Sequence, residues 1–426
     1  MSLALFIAGR LHSAEGDPST LPADDASHGK RRKGARPATV IATAGIAVGL
    51  AVMMISLAVI DGFKGELRAK VAGIGADMQM INREAARSYE MRPVVADDSL
   101  LAELTALPGI RHAQRFATKP GMVKTNDTFQ GIVLKGFGPE YDLNFLSRHM
   151  VEGELPTFSD STASNRVVIS QTLASKLALE VGQRVDAYFI EDEIRVRRLT
   201  VVGVYQTNFA EFDNLFALTD LALLRRLSGW EADQVSGIEL LADGSQDLTD
   251  LTYDVGDHMA GRTDAYGADY TVRNVRQLNP GLFAWLDLLD MNIWVILVLM
   301  TGVAGFTIIS GLLIIIIERT SLIGILKSLG ARNGLIRRLF LWLAMFMVAR
   351  GMLVGDVVGL AFYFLQKYTG ILKLDAADYY MDTVPVALDV WTFLALNVGT
   401  LLVSVLILIG PSALVARIRP SLIVSD

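Results

Sequence analysis

The chain has 426 residues, 52% of them apolar, no cysteine and a formal net charge of −6. The missing cysteine excludes a disulfide framework, a thiolate metal site and a thiol nucleophile. The apolar residues gather in four blocks, 38–60, 291–317, 339–366 and 390–416, each longer than the roughly 20 residues that cross a hydrocarbon core, so the chain is read as an integral membrane protein with four spans.

Residues 1–37 hold six Lys or Arg, including KRRK at 30–33. Within them, 3–11 is an apolar stretch that reads as a short amphipathic helix along the membrane surface. Residues 14–34 are rich in Ser, Asp, Pro and Gly and read as a flexible insertion. The first span, 38–61, is an uncleaved signal anchor. Its 23 uncharged residues exceed the core of a secretory signal, and Asp61-Gly62-Phe63-Lys64 follows in place of a small-residue cleavage site. Gly45 and Gly49 form a GxxxG pair that lets helix backbones approach closely. Met53, Met54 and Leu57 have two readings: plain helix packing, or one wall of a lateral acyl-chain groove against span two.

Residues 62–287 carry 23 basic and 32 acidic residues, a net of −9, and are long enough to bury a core of their own. Their pattern is mixed α/β. Strands are predicted at 131–135, 166–169, 184–190 and 198–205. Helices are predicted at 100–107, 171–177 and 219–227, the last with Leu221, Leu224 and Leu227 at three-residue spacing. Gly109, Gly121, Gly153-Glu154-Leu155-Pro156 and Gly182 are read as turns, and Gly73-Ile74-Gly75 as a turn after the first span.

The second span is 288–317, followed by a 318–338 segment with five basic residues (Arg319, Lys327, Arg332, Arg337, Arg338) against Glu318. In this segment Leu322, Ile323, Ile325, Leu326 and Leu329 share one broad helix face, and Gly330 is placed to end the helix in the left-handed conformation. The third span, 339–366, repeats the small-residue spacing at Gly351, Gly355 and Gly359, which favours a packing seam. It also holds Arg350 and Asp356, which lie about 120° apart on a helix and do not readily pair with each other. Each is expected to meet a polar group on a neighbouring helix, or, for Arg350, to reach an interface. A short loop, 367–389, has two basic residues against four aspartates. The fourth span is 390–416, and a tail, 417–426, adds Arg417 and Arg419.

Basic residues in short loops mark the cytoplasmic side. With four spans the three basic segments fall together and the acidic loop opposite, so both termini are expected in the cytoplasm and 62–287 outside it. No GxxxxGK with a following Ser or Thr occurs, no GxSxG elbow, and no paired histidine spacing among His12, His28, His112, His149 and His258. The chain is expected to be no enzyme, to hold no metal or cofactor and to bind no nucleic acid. The 318–331 segment, trapped between two spans, is exposed to a soluble partner at a membrane face.

The run IIIIERTSLIGILKSLGARNGLIRRLFL at 314–341 resembles the signature of the FtsX/MacB-like ABC permeases, and more closely the lipoprotein-releasing permeases of the LolC/LolE group. LFIAGRL at 5–11, GIAVGLAVMMISLAVIDGFKGEL at 45–67, VVGVYQTNFAEFDNLFALTDLALL at 201–224 and PSALVARIRPSLIV at 411–424 are similar to the corresponding parts of that family. The resemblance implies four transmembrane helices with a large mixed α/β periplasmic domain between helices 1 and 2. It implies a pair of permease chains, alike or paralogous, on two ABC ATPase subunits that bind the ATP and magnesium. It makes Glu318, Arg319, Leu322, Ile323, Gly324, Ile325, Leu326, Lys327, Gly330 and Arg332 the coupling segment that docks on the ATPase. Two departures stand out: Leu322 replaces the usual Glu, and Thr320-Ser321 a basic pair.

The resemblance implies extraction of lipoproteins from the bacterial inner membrane, with hand-over to a periplasmic carrier for delivery to the outer membrane. The alternatives within the same superfamily are a permease that regulates periplasmic partners such as a cell-wall hydrolase, and an exporter of periplasmic substrates.

Overall fold

The computed structural model describes residues 35–84, 92–125, 128–190, 194–375 and 379–412. The stretch 3–11, the insertion 14–34 and the tail 417–426 lie outside the described residues. The chain runs through α1 (Ala35–Gly75), β1 (Met78–Asn82), β2 (Val94–Val95), α2 (Asp98–Thr105), β3 (Ile110–Lys124), β4 (Phe129–Phe137), α3 (Asn144–Arg148) and β5 (Met150–Gly153). It continues through β6 (Arg166–Ser170), α4 (Gln171–Leu177), β7 (Arg184–Ile190), β8 (Ile194–Tyr205), α5 (Ala210–Asp213), β9 (Phe216–Asp220), α6 (Leu221–Ser228), β10 (Gln234–Val235) and β11 (Gly237–Ala242). Then follow α7 (Leu248–His258), β12 (Tyr270–Asn274), α8 (Val275–Leu278), α9 (Pro280–Glu318), α10 (Thr320–Ser328), α11 (Asn333–Thr369) and α12 (Val390–Ser412). The described residues fall into two compact units, one within Met1–Lys64, Leu286–Leu372 and Val384–Asp426, the other Gly65–Trp285 with Lys373–Thr383.

In the first unit, α1, α9, α11 and α12 are long and apolar enough to cross a membrane. Hydrocarbon offers backbone N–H and C=O groups no partner, so an apolar run closes its own hydrogen bonds as a helix. Ile46, Leu50 and Met53 of α1, Ile308 and Leu312 of α9, and Phe340, Ala344 and Val348 of α11 form its core. A Cβ on Gly351 would lie 3.1 Å from the carbonyl oxygen of Thr43 and 2.8 Å from Ile46 Cβ. On Gly355 it would lie 2.8 Å from the Ala47 carbonyl oxygen, and on Gly359 2.2 Å from Met54 Cε. The third-span glycines are thus the seam along which α11 meets α1. Gly45 meets Thr307 of α9 and Gly49 meets Ala304. At the far end of these helices Lys64 Nζ donates to both carboxylate oxygens of Asp290, at 2.5 and 2.6 Å.

In the second unit, a ten-stranded sheet has the order β12-β1-β11-β3-β4-β9-β6-β8-β5, with β7 bonded to β3 and β8. β4–β9 and β6–β8 are parallel, the remaining pairs antiparallel. Its core includes Leu104, Leu134, Ile169, Leu173, Leu224 and Leu240. The predicted strand 184–190 and helix 171–177 are observed with those bounds.

Several other readings change, apart from shifts of one to four residues at strand and helix ends. α1 does not stop at Asp61 but runs to Gly75, because Phe63, Leu67 and Val71 recur every four residues and are all buried. Gly73 is therefore helical, and its missing side chain leaves room for the Phe145 ring, 2.3 Å from where a Cβ would sit. Gly121 is no turn; it lies inside β3, where a Cβ would stand 2.6 Å from Phe189. The predicted helix 219–227 is instead the end of β9 followed by α6, which stops at Gly229 with φ +68°.

Gly355 tests the seam, because the atom its Cβ would strike is backbone and cannot rotate away. Gly355→Val is expected to lower the thermal stability of the detergent-purified chain by about 1–3 kcal/mol, as overpacking does. Gly302→Ala, where a Cβ meets nothing within 4 Å, does not lower the melting temperature.

Candidate coupling site

α10 is a nine-residue helix between two spans. It ends as the sequence pattern requires: Gly330 adopts φ +83°, and Ala331 N–H bonds to the Leu326 carbonyl at 2.9 Å. Its broad apolar face is divided. Ile323 is fully buried and Leu326 packs on the membrane core beside it. Ile325 and Leu329, one turn apart on the other edge, are 58% and 78% exposed. Leu322, Gly324 and Lys327 are half-buried, and Glu318, Gly330 and Arg332 are exposed. Arg319 precedes the first turn and is half-buried. The outer edge thus presents two bare aliphatic side chains near Arg332, an arrangement suited to a partner's apolar groove. Leu329, four residues after Ile325 on the same apolar face of the sequence pattern, stands on this outer edge.

Behind α10, the glycine seam fixes what α11 turns to each side. Arg350 and Asp356 flank it on opposite sides. Asp356 Oδ1 accepts a hydrogen bond from Asn397 Nδ2 of α12 at 3.1 Å, so a polar partner for it does lie on a neighbouring helix. Arg350 is exposed and makes no hydrogen bond or ion pair with any described residue. A charge at this depth costs about 2.5–3.5 kcal/mol on the insertion scale. Met53 and Met54 are buried, Met53 beside the Thr301 hydroxyl and Met54 against Gly359, and Leu57 is half-buried. Both methionines fill helix interfaces, Met53 towards α9 and Met54 against the glycine seam of α11.

The α/β unit has two charged centres of its own. Glu239 of β11 is fully buried, and its carboxylate accepts from Lys135 Nζ (2.7 Å), Gln79 Nε2 (3.1 Å), Gln114 Nε2 (3.1 Å) and Tyr141 Oη (2.6 Å). Burial, and next the Glu239 charge, push the Tyr141 hydroxyl well above its usual range. Lys135 Nζ also donates to the Ile74 carbonyl at the end of α1. In the second centre, buried Lys70 Nζ donates to the carbonyls of Thr207 (2.8 Å) and Tyr380 (2.6 Å). Asn208 Nδ2 bonds Asp382, Phe209 packs on the Tyr380 ring, and Lys373 bridges Thr383. The stretch Lys373–Thr383, read from sequence as part of a plain loop, is therefore knitted into the domain. Burial raises the Asp213 carboxyl, opposed by its bonds from Thr207 and the nearby Lys70 charge. Among the described residues no group of side chains is arranged to hold a metal.

Residues 39–255 match the family model of the MacB-like periplasmic core domain, and residues 294–420 that of the FtsX-like permease C-terminal part. The chain is 24% identical over 406 residues to the lipoprotein-releasing system transmembrane protein LolC of Neisseria meningitidis serogroup B, covering 90% of this chain and 92% of that one. It is 23% identical over 399 residues to the lipoprotein-releasing system transmembrane protein LolE of Haemophilus influenzae, with the same coverage. Among solved structures, the periplasmic region of MacB from Actinobacillus actinomycetemcomitans aligns at 15% identity and a TM-score of 0.36, covering 50% of this chain and 95% of that one.

Lys70 offers a test of the knitted stretch. Lys70→Met removes two charge-assisted bonds worth about 1.5–3 kcal/mol each, and limited chymotrypsin digestion at Tyr379 and Tyr380 should accelerate by roughly tenfold or more. Lys70→Arg should digest at an intermediate rate.

Proposed function

The chain belongs to the family of FtsX-like permeases that carry a MacB-like periplasmic core domain, and from that premise we propose that it is the membrane subunit of an ABC transporter that releases lipoproteins from the bacterial inner membrane for delivery to the outer membrane. Supporting this is similarity to two lipoprotein-releasing transmembrane proteins over nine-tenths of both chains. A separate ABC ATPase supplies the energy, in keeping with the absence of a phosphate-binding GxxxxGK sequence here. A second permease chain, alike or paralogous, completes the membrane part. Both termini and α10 face the cytoplasm, as the basic residues of 1–37 and 318–338 favour, and the α/β domain faces the periplasm, where a carrier would receive the lipoprotein.

The observation that carries the energy-coupling step is the pair Ile325 and Leu329, bare aliphatic side chains on a helix fixed at both ends to spans. In this arrangement the ATPase grips α10 by apolar packing, with Arg332 at its rim. The ion pairs that Glu at 322 and basic residues at 320 and 321 would bring are absent. Movement of the gripped helix passes through Ile323 and Leu326 into the α1–α9–α11 core, and the α/β domain and helices respond by expelling the bound lipoprotein.

Burial of one such side chain is worth about 1.5–3 kcal/mol, so Ile325→Asp and Leu329→Asp should each weaken co-purification of the ATPase by roughly tenfold or more. Membrane fractionation of cells carrying either variant should show lipoproteins stranded in the inner membrane. Normal lipoprotein sorting with altered cell-wall cleavage would instead make this permease a regulator of a periplasmic hydrolase.

A further inference from the structure

We propose that a cavity in the membrane unit binds a phospholipid whose headgroup carries both a phosphate and a primary ammonium, the phosphate on Arg350 and the ammonium on Glu318. The cavity has a volume of about 360 Å³, and its walls come from the start of α1, the end of α9 and the middle of α11. It runs along α1 from Thr39 to Ala47, roughly 12 Å at the helical rise. Arg350 and Glu318 both line it, both are exposed, and neither bonds to the other nor to any other described residue.

An unsatisfied guanidinium and an unsatisfied carboxylate in one cavity define the complementary ligand. A guanidinium presents a planar set of donors that suits phosphate oxygens, and a carboxylate accepts from a primary ammonium. A plain anion would satisfy Arg350 and be repelled by Glu318; a plain cation would do the reverse. Arg350 also sits 11 residues into the third span as read from Leu339, roughly 16 Å along the helix, where an unpaired charge is unfavourable and a bound counter-charge relieves it. The cavity mouth carries the second half of the recognition. Val40 and Val354 line it and are 63% and 50% exposed, which gives acyl chains an apolar bed and a soluble zwitterion none. The occupant is therefore a membrane lipid. Arg319, also in the wall, has interactions of its own.

The test is native mass spectrometry of the full chain in detergent, titrated with phosphatidylethanolamine, phosphatidylglycerol or phosphatidylcholine. The ethanolamine lipid is expected to be retained above the other two. Arg350→Gln should lower retention of all three by about tenfold, the loss of one charge-assisted contact, and Arg350→Lys should keep most of it. Glu318→Gln should leave the ethanolamine and glycerol lipids bound equally. Ala44→Trp, which adds bulk to the α1 wall of the cavity and leaves both charged residues in the sequence, should displace the lipid while the chain still elutes as a single symmetric peak. Equal retention by wild type and Arg350→Gln, or no preference for the ethanolamine headgroup, overturns the assignment. Displacement of the lipid by equimolar soluble glycerophosphoethanolamine overturns the membrane source.

Discussion

The membrane unit depends on the close approach of α1 and α11. Between helices in lipid there is no hydrophobic driving force, since lipid tails are as apolar as leucine, so association rests on contact quality. Gly351, Gly355 and Gly359 supply it by offering α1 a strip with no side chains, and two of the three face a backbone carbonyl oxygen of α1. Once that strip is fixed, the rotation of α11 is fixed. Asp356 must then lie towards α12, where Asn397 meets it, and Arg350 must lie towards the α1–α9 side, where no described residue bonds to it. The same rotation turns Met54 inward against Gly359. One packing constraint therefore decides which way the charged residues of the third span face and packs Met54 against α11.

The α/β unit solves the matching problem for charge. A carboxylate taken fully out of water is tolerated only when its lone pairs are met, and Glu239 receives a donor from β1, β3, β4 and the segment after β4. These strands lie together in the sheet with β11, so satisfying one buried group specifies their register. Lys70 plays the converse part as a buried cation. It is met by carbonyls from two segments 173 residues apart in sequence, which ties the stretch after α11 to the loop after β8.

Much of this was legible in the sequence wherever a signal was local. Long apolar runs mark four spans, the β-rich runs at 166–169 and 184–190 mark two strands, and Gly330 marks the end of α10. The misreadings share a cause. A charge such as Asp61 marks where hydrocarbon ends but not where the helix ends, and α1 continues on an amphipathic pattern of its own. Gly121 and Gly73 were read for backbone freedom, whereas both are glycine because an aromatic ring, Phe189 or Phe145, occupies the space a side chain would take. Nothing near either glycine in sequence announces those rings. Glu239 and Lys70 went unremarked for the same reason, since their partners come from across the fold.

The division of α10 into a buried edge and a bare one suits so short a helix to the coupling role proposed for it. A helix exposed all round could be gripped but would move alone; one wholly buried could not be gripped. Here Ile323 and Leu326 are part of the same apolar core as Ile336 and Phe340, while Ile325 and Leu329 stand out of it. The two edges are joined by a rigid hydrogen-bonded backbone about 13 Å long. A displacement imposed on the outer edge is therefore carried to the inner one without an intervening hinge. Gly330, at the start of the turn into α11, is where the backbone changes direction. That turn is closed by the Ala331 to Leu326 bond, so the proposed coupling role requires α10 to act directly on the first turn of α11, where Ile336 is already buried in the core.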